Sequence, residues 1–106
     1  MLPKNSLNII NPEKIMFCRT HGRKTEILLI DGIGFILNIK LYKLERELVN
    51  MDFFRCHNSF IVNINYVEQV ENTKCKLKDS NEIILVSRRK KAELKKKLKG
   101  KHPFVA

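Results

Sequence analysis

The chain has no long apolar run: none exceeds four residues, as at Ile27-Leu28-Leu29-Ile30, whereas a membrane-spanning helix needs roughly 20. The sequence therefore predicts no transmembrane helix. Residues 1–10 include Lys4 but no continuous apolar stretch of about 7 to 15 residues and no small-residue cleavage site, which argues against export and for a cytoplasmic protein. Cysteine is scarce too. Cys18, Cys56 and Cys75 are an odd set with no C-x-x-C pair, which does not suit a disulfide framework and leaves reduced thiols as the expectation. His21, His57 and His102 have no local spacing that resembles a zinc finger or ribbon, so neither a metal nor any other cofactor is expected. No repeat of about 20 to 50 residues is present, which excludes a solenoid.

What is present suits one small globular domain. The 106 residues are enough for one core and too few for two, and 43% apolar against 30% charged residues is a globular rather than a disordered balance. Acidic residues are outnumbered: 21 Lys and Arg face 11 Asp and Glu, for a formal charge of +10. A charge of that size on a small surface calls for a polyanion, either nucleic acid or an anionic membrane surface. Its distribution is uneven. Nine basic residues and the single acid Glu93 fall within 88–101, so this segment carries most of the excess.

The periodicity changes along the chain. Residues 5–10 read as a short strand stopped by Asn11-Pro12. Residues 15–20 and 25–30, rich in β-branched and apolar side chains, form a hairpin around His21-Gly22-Arg23-Lys24, and a short strand with Ile33, Phe35 and Ile36 follows the Asp31-Gly32 turn. Leu41, Leu44 and Leu48 fall at helical spacing, which predicts a helix over 39–48, with Asn38 or a neighbour as cap and the leucines facing the core. Extended segments at 53–63, 66–70, 74–78 and 82–86 come next, the last two bracketing the turn residues Asp79-Ser80-Asn81. Ser87 is a natural N-cap for a basic helix over 88–99 with Leu94 and Leu98 inward, ending at Gly100.

One stretch is more informative than composition: Phe54-Arg55-Cys56-His57-Asn58-Ser59-Phe60-Ile61-Val62-Asn63. It resembles the signature of the LytTR family of bacterial DNA-binding domains, in which an aromatic residue, Arg, a variable residue, His, a variable residue, Ser, an aromatic or aliphatic pair and Val-Asn follow in order. The Ile15-Met16-Phe17 strand, the Leu-rich segment and Val86-Ser87-Arg88-Arg89 also fall in the family's order. The resemblance implies a mostly β domain with helices at its edges (α+β), residues 13–101, flanked by a segment at 1–12 and a tail at 102–106. It further implies sequence-specific binding to double-stranded DNA through loops that enter successive major grooves. Two copies on repeated half-sites are expected, as the output domain of a two-component response regulator or as a stand-alone transcriptional regulator. A receiver domain is expected only in a longer parent chain.

Site residues follow from the resemblance and from side-chain chemistry. Asn58 sits where the family places a loop residue facing DNA, and Asn bonds adenine N6 and N7 in bidentate fashion; the alternative is an Asx-turn or cap. Arg89 falls at the second base-reading position and matches guanine O6 and N7, with Arg88 and Lys90 on phosphate; the alternative is a solvated helix start. The first loop supplies His21, Arg23, Lys24 and Thr25, at least one of which is expected to read bases. Lys96 and Lys97 are expected to approach phosphate alone. Phe54, Phe60, Ile61 and Val62 are core candidates, while Arg55 and His57 are candidates to brace the loop or, for His57, to contact DNA. Ser59 is expected to cap following amides, and Asn63 to tie down a turn.

Competing functions are weaker. An enzyme would find His57 and Ser59 on one side of an extended strand, but with no orienting acid nearby and no nucleophile-elbow glycines, so no catalytic residue is assigned. A polybasic module for an anionic membrane surface or acidic protein is the principal alternative, though such segments normally accompany a lipid anchor or membrane helix. RNA binding lacks an aromatic stacking motif.

Overall fold

A computed structural model describes residues 10–49 and 51–101 of the chain. Eight strands and two α-helices follow one another as β1 (Ile15–His21), β2 (Lys24–Leu29), β3 (Gly34–Leu37), α1 (Leu41–Glu47), β4 (Phe53–His57), β5 (Phe60–Asn63), β6 (Val67–Glu71), β7 (Lys74–Leu77), β8 (Ile83–Leu85) and α2 (Arg88–Lys101). The expectation of a mostly β fold with edge helices holds. The expected strand at residues 5–10 lies outside the described residues except for Ile10, which packs against the α1 side of the core.

The strands form a five-stranded antiparallel sheet in the order β3-β2-β1-β5-β4 and a three-stranded sheet, β6-β7-β8. Both faces of the larger sheet are covered, and this explains β1. Ile15 to Cys18 are buried in succession, which a strand with one wet face cannot do. Ile15 and Cys18 join Ile27, Ile61, Leu41 and Leu44 of α1 and its C-cap Leu48 on one side. Met16 and Phe17 join Phe54, Val62, the smaller sheet and Leu94 of α2 on the other. A register shift between Ile15 and Phe17 marks a β-bulge, which is how the adjacent Met16 and Phe17 reach the same side. Each fully buried aliphatic side chain contributes about 1.5 to 3 kcal/mol of transfer free energy.

Polar bonds lock the joints. Asn63, buried in the core, donates from Nδ2 to the Ile15 carbonyl at 2.8 Å and accepts the Asn65 amide on Oδ1 at 3.0 Å, so it ties down the turn after β5 as expected. Arg19 of β1 pairs Glu26 of β2 at 2.6 Å and Glu82, the residue before β8, at 3.5 Å. Three boundaries differ from expectation. The first helix begins at Leu41 with Lys40 at its N-cap and no side-chain cap bond, so Asn38 does not cap it; Leu41, Leu44 and Leu48 are held instead by their burial. The second helix runs through Gly100 to Lys101, because a glycine that keeps helical geometry costs only about 1 kcal/mol. The extended segment 53–63 is a hairpin, with Phe60 half-buried rather than in the core proper.

Candidate nucleic-acid interface

The site is built at one end of the five-stranded sheet. Because β1 and β5 are antiparallel, with Arg19 opposite Phe60, the β1–β2 turn and the β4–β5 turn emerge side by side. The Thr20 amide donates to the Ser59 carbonyl at 3.0 Å and fastens one turn to the other. In the first turn Gly22 has φ +63°, a left-handed conformation that permits a two-residue connection and leaves His21 and Lys24 as the last cross-strand pair. His21, Arg23 and Lys24 are exposed there, with no hydrogen bond or ion pair from their side chains to other described residues.

Thr25 is different. Its side chain is fully buried and Oγ1 donates to the Ile39 carbonyl at 2.8 Å, which binds the end of the β3–α1 connection to β2. Thr25 is thus held inside the fold, with its hydroxyl committed to the β3–α1 connection. It alternates with Ile27 on the α1 side of the sheet, while Lys24 points the other way.

The β4–β5 turn is held from three directions. Arg55 donates from Nη2 to the Asn58 carbonyl at 2.7 Å and from Nε to the His57 carbonyl at 3.4 Å, while Nη1 pairs with Glu45 of α1 at 3.1 Å. His57 accepts the Ser59 amide on Nδ1 at 3.0 Å, which puts the ring's N–H on Nε2, and its ring lies edge-on to Phe60 with centroids 5.9 Å apart. Arg55 and His57 thus brace the turn. Ser59 contributes its backbone, its amide to His57 and its carbonyl to Thr20, rather than the expected side-chain cap. The Asn58 side chain is exposed and makes no bond to other described residues; its carbonyl alone is used by the brace.

The start of α2 is brought to this turn by backbone. Ser87 N donates to the Cys56 carbonyl at 2.8 Å, and Ser87 Oγ accepts the Lys90 amide at 3.2 Å, the expected N-cap. A register shift in β4 between Phe54 and His57 marks a second bulge beside this junction. Asn58, Arg89 and Lys90 consequently line one shallow recess with Glu45, Arg55 and His57. Arg23 and Lys24 line a neighbouring recess that also reaches Arg55. Arg88 and Arg89 are exposed, whereas Lys90 is half-buried with Nζ 5.6 Å from the Phe54 ring centre. Lys95, Lys96 and Lys97 are all exposed, and Lys97 Nζ also lies 5.7 Å from the centre of the same ring.

Burial pushes the Cys56 thiol up to about 12, with the nearby Cys75 adding to the effect; burial alone does the same for Cys75. Cys18, almost wholly enclosed, is raised further. All three cysteines are free, buried thiols held neutral at ordinary pH. Among the described residues no group of His, Cys, Asp and Glu has a metal-binding arrangement, and no helix is long and apolar enough to cross a membrane.

Comparison with known proteins agrees with this geometry. Residues 5–99 match the family described as the LytTr DNA-binding domain. The chain belongs to that family, whose business is DNA binding in transcription regulation rather than catalysis. Among solved structures it is similar to one from Bacillus cereus described as the LytTr DNA-binding domain of a methyl-accepting/DNA response regulator, with 27% identity, a TM-score of 0.67 and coverage of 86% of this chain and 85% of that one. No curated protein matches the sequence.

Proposed function

We propose that this chain reads double-stranded DNA by sequence through the end of the five-stranded sheet, with Asn58 and Arg89 on base edges. Exposed Arg88 and the half-buried Lys90 neutralise phosphate, and one of His21, Arg23 or Lys24 makes a further base contact from the β1–β2 turn. The observation that carries this reading is the recess in which Asn58 and Arg89, two exposed polar side chains with no bonds to other described residues, are brought together by the Ser87–Cys56 backbone link. Asn suits adenine and Arg suits guanine in the major groove, while surrounding cations set affinity and register. Two copies act on tandem half-sites, and the module regulates transcription in the cytoplasm as the output part of a response regulator or as a free-standing regulator.

The test begins with a duplex enriched from a random library by the wild-type chain and a scrambled duplex of equal composition. Asn58→Ala and Arg89→Ala are expected to cost about 1 to 3 kcal/mol on the enriched duplex and much less on the scrambled one. Lys95→Ala with Lys96→Ala weakens both alike and lowers the salt slope by about one unit per lost contact. Equal losses on both duplexes for Asn58→Ala and Arg89→Ala would show that only the basic surface binds.

A further inference from the structure

Glu45 is out of place by charge. Among the described residues it is the one acidic side chain lining the recess that holds Asn58, Arg89 and Lys90. A carboxylate on a surface that meets phosphate weakens association, since like charges a few ångströms apart repel. Its bonding gives the reason for its presence. Glu45 Oε1 takes Arg55 Nη1 at 3.1 Å, while the other two guanidinium nitrogens point at the Asn58 and His57 carbonyls. Each of the three guanidinium nitrogens of Arg55 thereby has an acceptor within the protein. The acid is placed by α1, whose Leu41 and Leu44, with Leu48 at its C-cap, are buried against the sheet and fix which side of the helix faces β4.

We propose that Glu45 is a specificity-determining residue: it holds Arg55 inward on the carbonyls of the β4–β5 turn. Arg55 is thereby kept from phosphate, where it would strengthen binding to any sequence, and the Asn58 backbone stays where the brace sets it. The inference rests on the reading that this turn faces DNA. Glu45 acts through Arg55 and touches no base, so it is a positioning residue. Arg55 is only partly exposed and Glu45 about half so, 24% and 48% by side chain, which makes the effect that of a screened ion pair.

Glu45→Gln is chosen because Gln keeps the helix propensity and the shape while removing the charge. Its affinities for the enriched and scrambled duplexes are measured with those of Glu47→Gln, an exposed acid on the same helix with no ion pair among the described residues. For Glu45→Gln, the scrambled duplex is expected to bind more tightly while the enriched one does not, so that their affinity ratio falls about three- to fivefold. The salt slope on scrambled DNA steepens by up to about one unit as Arg55 gains a phosphate. Glu47→Gln leaves the ratio unchanged, and in an Arg55→Ala background Glu45→Gln shifts both duplexes alike. An unchanged ratio for Glu45→Gln, or a ratio that still falls without Arg55, overturns the proposal. Asn58→Ala in the same assay separates the two ideas: if it lowers the ratio while Glu45→Gln does not, base reading stands and the Glu45 role fails, and the reverse pattern removes Asn58 as a reader and keeps Glu45.

Discussion

Ser87 N donates to the Cys56 carbonyl at 2.8 Å, across 31 residues of sequence, and that one bond seats the start of α2 beside the β4–β5 turn. The bond is buried on the β4 side, where Cys56 is inaccessible to solvent. Its effect is geometric. A turn that ends a sheet and a helix that begins a basic segment become one surface, with the braces on the inside and Asn58 and Arg89 on the outside.

Thr25 separates architecture from reading. Thr25→Val keeps the shape but leaves the Ile39 carbonyl without the Oγ1 donor, a loss of about 1 to 3 kcal/mol when the acceptor is buried. Thermal or denaturant unfolding should show that loss, while the ratio of affinities for enriched and scrambled duplexes stays at the wild-type value. A fall in the ratio with unchanged stability would return Thr25 to the reading surface.

The two halves of that outcome show what the sequence makes legible. Strand and helix segments, the Asn63 tie and the Ser87 cap follow from local pattern, because turn residues and period are local properties. The burial of Thr25 was also available in principle, since it stands two residues before Ile27 and so shares its face. The Glu45–Arg55 pair was not. Ten residues and a change of element separate them, and only the packing of α1 on the sheet brings them together. The absence of a cap at Asn38 has the same origin: burial of three leucines holds α1 without one.

The buried thiols give the domain an alkaline weakness. Cys56 and Cys75 remain protonated in the fold up to about pH 12, whereas in the unfolded chain they ionise near their ordinary value of 9.0. Below pH 9 both states hold the proton and stability is at its full value; above it the unfolded state alone releases protons, so stability falls as pH rises through the interval to about 12. Each thiol contributes a slope of up to about 1.4 kcal/mol per pH unit. Chemical denaturation between pH 8 and 11 should show the fall, and a Cys56→Ala, Cys75→Ala double variant should show less of it. An identical slope in both would show that these two thiols are not its source.

Pairing on DNA is checked by deletion. In a gel-shift series on the enriched duplex, removing one of two repeated half-sites should abolish most of the affinity, because two linked binding events are reduced to one. Unchanged affinity would mean that a single copy suffices.

On the proposed reading, DNA meets one end of the five-stranded sheet. The most direct measurement is a nuclear magnetic resonance titration of backbone amides with the enriched duplex. The largest shifts are expected at residues 22–24, 57–59 and 87–91, with little change at 31–33 and 63–66, which lie at the other end of the same strands. Shifts concentrated along the exposed face of α2, at Lys95, Lys96 and Lys99, with the two turns silent, would contradict it and leave a polycationic helix as the whole of the binding site.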